Sequence, residues 1–132
     1  MSAKALDERF PKTRRLLKAG DYSRVFDNAQ VKASHKYLLL LASLNDQPGH
    51  RLGLVIAKKN VRLAVQRNRI KRIAREFFRT LPDTEPTMDV VLLTRRGIDQ
   101  LDNAELSSIL QQQWHKLSHN IPKPESNTSR DR

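Results

Sequence analysis

The sequence contains no cysteine, and this absence excludes two classes of small protein. A chain without thiols can form neither a disulfide framework nor a cysteine-ligated zinc site, and it is compatible with a reducing cytosol. Glycine is also scarce, with four residues in 132, and none forms the glycine-rich loop that surrounds a bound phosphate. The four histidines lack ligand-like spacing, and no nucleophile accompanies a candidate base. We therefore expect neither a catalytic residue nor a metal site within this chain.

Long apolar segments are missing as well. The longest apolar run covers residues 37–42, whereas a membrane-spanning helix needs about 20 apolar residues. Residues 1–15 alternate charged and short apolar pieces and hold no apolar stretch of signal-peptide length. We therefore expect a cytoplasmic protein.

Negative charge is in short supply relative to positive charge. The chain has 14 Asp and Glu against 25 Lys and Arg, which gives a net charge of +11. A surface charged that heavily is soluble but repels itself, so we expect an anionic partner, either nucleic acid or an anionic membrane. Apolar residues make up 38% of the chain, which is enough for one folded domain.

The pattern along the chain predicts a central domain with an extension at each end. Residues 1–15 are interpreted as a basic arm, residues 16–118 as the folded domain, and residues 119–132 as a disordered tail rich in Pro, Ser, Asn and Arg. Near the start of the domain, helical spacing at Tyr22, Val25, Phe26 and Ala29 predicts a short first helix.

Three apolar runs in the domain are candidate strands. The runs at residues 37–44 and 51–57 flank a turn signal and predict an antiparallel hairpin, although leucine makes helix the competing interpretation of the first run. Residues 88–93 predict a strand buried on both faces. Asp102 or Asn103 then caps a last helix that runs to about residue 117. The order helix, strands, helix, strand, helix predicts an α+β domain with one mixed sheet.

The clearest single element is a helix from residue 64 to residue 81, which Pro82 ends. Its inner side is predicted to carry Ile70, Ile73, Ala74, Phe77 and Leu81, which follow the spacing of a helix packed on one face. On a helical wheel the opposite arc collects polar and basic side chains, namely Arg67, Asn68, Lys71, Arg72, Arg75 and Arg79.

The charge on that outer arc is almost all of one sign. Residues 58–79 contain nine Lys or Arg and one acid, Glu76, whereas a solvated helix face usually mixes signs to form ion pairs. Guanidinium groups bind phosphate through two parallel hydrogen bonds, and five of the six basic residues from Arg67 to Arg79 are arginine. The pattern indicates a phosphate-binding face; a merely solubilising basic face is the alternative.

A second set of residues combines aromatic rings with lysines. Tyr22, Phe26 and Tyr37, with the cations Lys36, Lys58 and Lys59, could form a stacking groove for single-stranded nucleic acid. Their spacing also suits ordinary core positions, and composition alone favours the core. Arg95 and Arg96 follow a buried strand, where open sheets often bind ligands, but a charged turn explains them equally well.

With these residues in view, the chain resembles the protein subunit of bacterial ribonuclease P over about residues 9–118. The resemblance is carried by Lys58-Lys59-Asn60-Val61, by Arg67-Asn68-Arg69-Ile70-Lys71-Arg72 and by Arg75-Glu76. Supporting matches are Tyr22-Ser23-Arg24-Val25-Phe26, Arg51-Leu52-Gly53-Leu54 and Arg95-Arg96-Gly97. The start of the first helix, residues 18–21, departs from the Thr-Pro-Ser type of relatives, and Arg24 stands where some relatives have an aromatic residue.

The resemblance implies a fold of order α-β-β-β-α-β-α with a left-handed βαβ crossover, where general rules favour a right-handed one. It implies a holoenzyme that removes 5′ leaders from precursor tRNA, with one protein for each catalytic RNA. Catalysis is expected in that RNA, with Mg²⁺ bound mainly by the RNA. The expected RNA-subunit contacts are Arg62, Arg67, Asn68, Arg69, Lys71, Arg72, Arg75 and Arg79. The expected leader contacts are Tyr22, Phe26, Lys36, Tyr37, Lys58, Lys59, Arg95 and Arg96.

Two other functions are compatible with a basic amphipathic helix. A ribosomal or DNA-binding structural protein would use the same cationic face. A membrane-surface helix would need the apolar face as well, and the domain core already requires that face.

Overall fold

The computed structural model describes residues 15–16, 18–45, 49–81 and 87–120. Its elements in chain order are α1 Ala19–Asn28, β1 Val31–Ser34, β2 Leu38–Leu44, β3 Arg51–Val55, α2 Ala64–Arg79, β4 Met88–Thr94, a 3₁₀ helix Ile98–Gln100 and α3 Asn103–His119. This order confirms the predicted α+β fold. Residues 1–14 of the predicted arm and 121–132 of the predicted tail lie outside the described residues. No helix in the described part of the chain has the length and apolarity needed to cross a membrane.

The four strands form one mixed sheet in the order β1-β2-β4-β3. Strand β4 pairs antiparallel with β2 along its whole length and parallel with β3. The predicted hairpin between residues 37–44 and 51–57 is therefore wrong, because β4 lies between those strands and the hairpin partner of β2 is β1. The physical reason is burial: residues 90–93 of β4 are apolar on both faces, and a central position covers more of their surface than an edge position.

The connection β3-α2-β4 joins two adjacent parallel strands, as a βαβ unit does. The left-handed sense that the resemblance implies for this crossover stays a prediction. Because β3 and β4 are parallel, the loops after both strands leave from the same edge of the sheet. Strand β2, which is antiparallel to β4, begins at that edge.

The helices cover the two faces of the sheet unequally. On one face, α1 inserts the fully buried Val25 against Val91, beside the partly buried Leu41 and Leu93. On the other face, α2 and α3 pack a larger core. This core consists of Ile70, Ala74, Phe78, Leu106, Leu110 and Leu117 against Leu38, Leu40, Leu52, Val90 and Leu92.

The buried side of α2 is rotated slightly from the prediction. Ile70, Ala74 and Phe78 are each 1% exposed, whereas Ile73 and Phe77 are partly buried at the margin of the core. The Phe78 ring packs edge-on against Trp114, with 5.5 Å between the ring centroids. Periodicity alone predicts Phe77 on the inner side and misses Phe78, because two adjacent phenylalanines satisfy the same apolar pattern.

A polar cluster fixes the register of β3 against β4. The carboxylate of Asp89, 2% exposed, accepts hydrogen bonds of 2.7 Å from both Nε and Nη2 of Arg51, its register partner. Asn45 Nδ2 donates to the same carboxylate at 2.7 Å. The hydrogen bonds that Arg51 donates to Asp89 raise the pKa of the Arg51 guanidinium above its ordinary value. Shifting the strands by one residue would leave a buried carboxylate without its cation.

The phase of α2 is tested by truncating its two phenylalanines separately. Phe78→Ala should lower the free energy of unfolding by about 3–5 kcal/mol, because it opens a cavity in the core. Phe77→Ala should cost clearly less, since that ring is partly exposed. Urea unfolding measures both values. A larger cost for Phe77→Ala would show that α2 is rotated as the sequence analysis first proposed.

Candidate nucleic-acid interface

The outer side of α2 and the loop before it present polar side chains that have no partner among the described residues. We define the α2 basic surface as Arg62, Asn68, Lys71, Arg72 and Arg75. Within the part of the chain that the structure describes, none of these side chains donates a hydrogen bond or forms an ion pair, and Arg62, Asn68 and Arg72 are exposed. Since the apolar side of α2 is buried against the sheet, the helix has no apolar stripe left for a membrane.

Three predicted contact residues on α2 are instead engaged within the protein. Arg67 Nη1 donates to the carbonyls of Val61 at 3.0 Å and Arg62 at 2.9 Å, which closes the loop onto the helix. Arg79 forms an exposed ion pair with Glu76 one turn away. Arg69 donates from its guanidinium to Gln66, Asn103 and the backbone before α3. Sequence patterns do not separate these arginines from the free ones.

Arg75 has an unusual electrostatic setting. Partial burial lowers the pKa of its guanidinium below the ordinary value, and the positive charge of Arg15 acts in the same direction. Arginine remains charged at neutral pH all the same. A phosphate bound to Arg75 would offset the cost of placing a partly desolvated cation at this position.

Cations also collect at the edge of the sheet where β3 and β4 end and β2 begins. We call Lys36, Lys58, Lys59, Arg95 and Arg96 the strand-end cluster. Two hydrogen bonds hold the start of β2 against the end of β4. Arg95 N donates to the carbonyl of Tyr37 at 2.9 Å, and the Arg95 side chain donates to the carbonyl of His35 at 2.8 Å. The side chains of Lys36, Lys58, Lys59 and Arg96 are exposed. The topology therefore brings together residues that lie up to 60 positions apart in the sequence.

Tyr37 lies at the same edge with its ring against Gly97. Gly97 has φ of 94°, and a Cβ there would approach Tyr37 Cε1 to 2.9 Å, so both backbone and contact require glycine. Lys36 Nζ lies 5.3 Å from the centroid of the Tyr37 ring, within cation–π distance. Tyr37 is partly buried and packs against the core, so the core and groove interpretations each account for part of its surroundings.

The two aromatic residues of α1 differ in their surroundings. The Tyr22 ring lies over Gly53 of β3, and its hydroxyl accepts a hydrogen bond of 3.2 Å from Leu54 N. Phe26 is 45% exposed, so the core interpretation is wrong for this ring. Strand alternation places Ser34 and Leu39, which pair in register, on the sheet face that α1 covers. An exposed ring on α1 therefore stands on the same side of the sheet as a partly uncovered strip of β1 and β2.

The structure also shows two exposed apolar residues that the sequence analysis did not single out. Leu63 is 61% exposed and Val65 is 68% exposed, both beside Arg62 at the start of α2. No periodicity distinguishes them, because they precede the part of the helix that packs against the core.

The described residues do not fit a protein-borne magnesium site. Among them, no group of three or more His, Asp or Glu side chains could hold a metal ion. Two of the described carboxylates are bound to cations, Asp89 to Arg51 and Glu76 to Arg79.

Comparisons with known proteins converge on one family. The ribonuclease P family model matches residues 10–118. The chain is 52% identical to the ribonuclease P protein component of Marinobacter nauticus over 108 residues, which cover 82% of this chain and 81% of that protein. It is 46% identical to that of Pseudomonas aeruginosa, covering 89% and 87%. Among solved structures, the Staphylococcus aureus RNase P protein superposes with a TM-score of 0.71 at 22% identity, covering 77% and 93%, which supports the fold.

The contact between Tyr22 and β3 predicts that Gly53 cannot be enlarged without cost. A Cβ at Gly53 would lie 2.7 Å from Tyr22 Cε2, so Gly53→Ala should displace the ring and lower the free energy of unfolding by about 1–3 kcal/mol. Gly20→Ala on α1 is the matched control, because nothing lies within 4 Å of the added methyl group. That change should be neutral or stabilising. Equal unfolding curves for the two variants would show that Tyr22 is not seated on Gly53.

Proposed function

Because the chain belongs to the ribonuclease P protein family, we propose that it binds the catalytic RNA of ribonuclease P and the 5′ leader of precursor tRNA. In this proposal it promotes the endonucleolytic removal of the leader that yields the mature 5′ end of the tRNA. The observation that carries the proposal is the α2 basic surface, where cations and one amide face solvent without an acidic partner in the described residues.

The α2 basic surface is proposed to hold the catalytic RNA. Four of its five members lie on one helix whose opposite side is anchored in the core, and Arg67 holds the loop that carries Arg62 against that helix, so their spacing is fixed before RNA arrives. Arg62, Arg72 and Arg75 supply guanidinium groups for phosphates, and Lys71 adds a point charge. Asn68 can donate to or accept from a base edge or a sugar hydroxyl. Arg67 and Arg79 lie beside this surface and contribute charge while bonded within the protein.

The leader is proposed to bind on α1 and at the strand-end cluster. Phe26 offers an exposed ring for base stacking, and Tyr22 and Tyr37 present partly buried rings. The strand-end cluster, which adjoins Tyr37 through Lys36, would follow the leader backbone with Lys36, Lys58, Lys59, Arg95 and Arg96. Aromatic rings near lysines suit unstacked single strands, whereas arginines on a rigid helix suit the phosphates of a folded RNA.

The remaining parts of the proposal concern the assembly. The catalytic centre is assigned to the RNA subunit, and the magnesium ions that it needs are bound mainly by RNA phosphates, since the described protein residues offer no cluster of ligands. One protein is expected for each RNA, in the cytoplasm.

Binding to the catalytic RNA should depend on salt through individual cations of α2. Arg72→Met should weaken binding and reduce the slope of log affinity against log salt by about one unit, because one fewer phosphate is neutralised. Lys116→Met, on the exposed side of α3, removes the same charge and should leave the slope unchanged. The measurement is a filter-binding titration over a range of KCl concentrations. If the slope falls equally in both variants, the loss of net charge explains the change, and α2 does not contact the catalytic RNA.

Binding of the leader should depend on the exposed ring of α1. Phe26→Leu keeps an apolar side chain but removes the stacking surface, so binding of precursor tRNA should weaken by about 1–3 kcal/mol for one lost stacked base. Binding of mature tRNA, which has no leader, should not change. The comparison uses wild-type and variant holoenzymes at one fixed salt concentration. Equal losses for the two tRNAs would count against a leader contact at Phe26.

A further inference from the structure

Arg69 lies in the middle of α2, yet its guanidinium points to a different part of the fold. Its three nitrogens all donate hydrogen bonds: Nε to Gln66 Oε1 at 2.8 Å, Nη1 to Asn103 Oδ1 at 2.8 Å and Nη2 to the carbonyl of Leu101 at 2.9 Å. A longer contact of 3.4 Å joins Nη2 to the carbonyl of Asp99. Among the described residues, no other arginine of α2 donates a hydrogen bond to α3 or to the turn before it.

Apart from Gln66, which lies on α2 itself, the acceptors of Arg69 belong to one junction. Asp99 belongs to the 3₁₀ helix, Leu101 is the residue that ends it, and Asn103 is the first residue of α3. Carbonyls at the end of a helix lack partners within that helix, so a planar fork of donors can satisfy several of them together. Arg69 therefore ties the middle of α2 to the point where the chain turns from β4 into α3.

We propose that Arg69 is a positioning residue, which fixes the α2 basic surface relative to the rest of the domain and does not itself bind an RNA phosphate. The inference rests on the proposed function, and it divides the Arg67-Asn68-Arg69 sequence by role. Asn68 faces solvent and is available to RNA, whereas Arg69 holds the helix that presents it. A phosphate that bound Arg69 would have to replace the hydrogen bonds that all three guanidinium nitrogens donate within the protein.

The test compares Arg69→Met with Arg72→Met, which removes an equal charge from the exposed side of the same helix. Arg69→Met should lower the melting temperature of the free protein by roughly 4 °C or more, because several charged hydrogen bonds are lost. At a temperature where circular dichroism shows the variant fully folded, its affinity for the catalytic RNA should fall about two- to thirtyfold. The slope of log affinity against log salt should stay at the wild-type value, whereas Arg72→Met should reduce it by about one unit.

Asn103→Ala provides an independent readout if Arg69→Met fails to fold. This change removes one acceptor and keeps the Arg69 cation, so a positioning role predicts a smaller loss of RNA affinity with the slope unchanged. A direct phosphate contact predicts that the released guanidinium binds RNA as well as before or better.

Two results would overturn the inference. A slope reduced by one unit in Arg69→Met would make Arg69 a phosphate contact, and an unchanged affinity in the folded variant would limit it to stability. If Arg72→Met also left both affinity and slope unchanged, the proposed function itself would fail, and the inference with it.

Discussion

The structure depends on α2 serving two environments at once. One side of the helix supplies Ile70, Ala74 and Phe78 to the main core, and the other side carries cations with one acid, Glu76, which pairs with Arg79. Repulsion among those cations opposes folding, and burial of the apolar side offsets it. Two contacts hold α2 in place against this repulsion: the Phe78 ring packs against Trp114, and Arg69 donates a hydrogen bond to Asn103 at the start of α3. An anionic partner relieves the remaining repulsion, so binding and stability are coupled.

The sheet determines where the rest of the charge is placed. With β4 in the centre, parallel to β3 and antiparallel to β2, the loops carrying Lys58, Lys59, Arg95 and Arg96 meet at one edge. The buried pair of Arg51 and Asp89, at the opposite end of β3 and β4, fixes the register of these two strands. The two proposed RNA-binding regions are thus built differently, one on a single helix and the other from the ends of several strands.

The sequence predicted what is local and missed what depends on distant partners. The limits of α2, its basic arc and the coarse order of helix, strands, helix, strand and helix follow from periodicity and turn residues. Strand β1 does not, and only the resemblance implies a third strand before α2. The partner of β2 does not, because pairing with β4 is decided by burial across the whole sheet. Arg69 lies outside the basic arc of the helical wheel, and only the family resemblance includes it among the expected contacts with the RNA subunit. Its hydrogen bond to Asn103, 34 residues away, could be seen only in the folded structure.

The central claim is that this chain acts as the protein subunit of an RNA enzyme. The most direct measurement is cleavage of precursor tRNA by the cognate catalytic RNA, with and without the purified protein, across a series of magnesium concentrations. The account predicts that the protein lowers the magnesium concentration needed for half-maximal cleavage, because its cations replace part of the counterion requirement of the RNA. An identical magnesium requirement with and without the protein would contradict it.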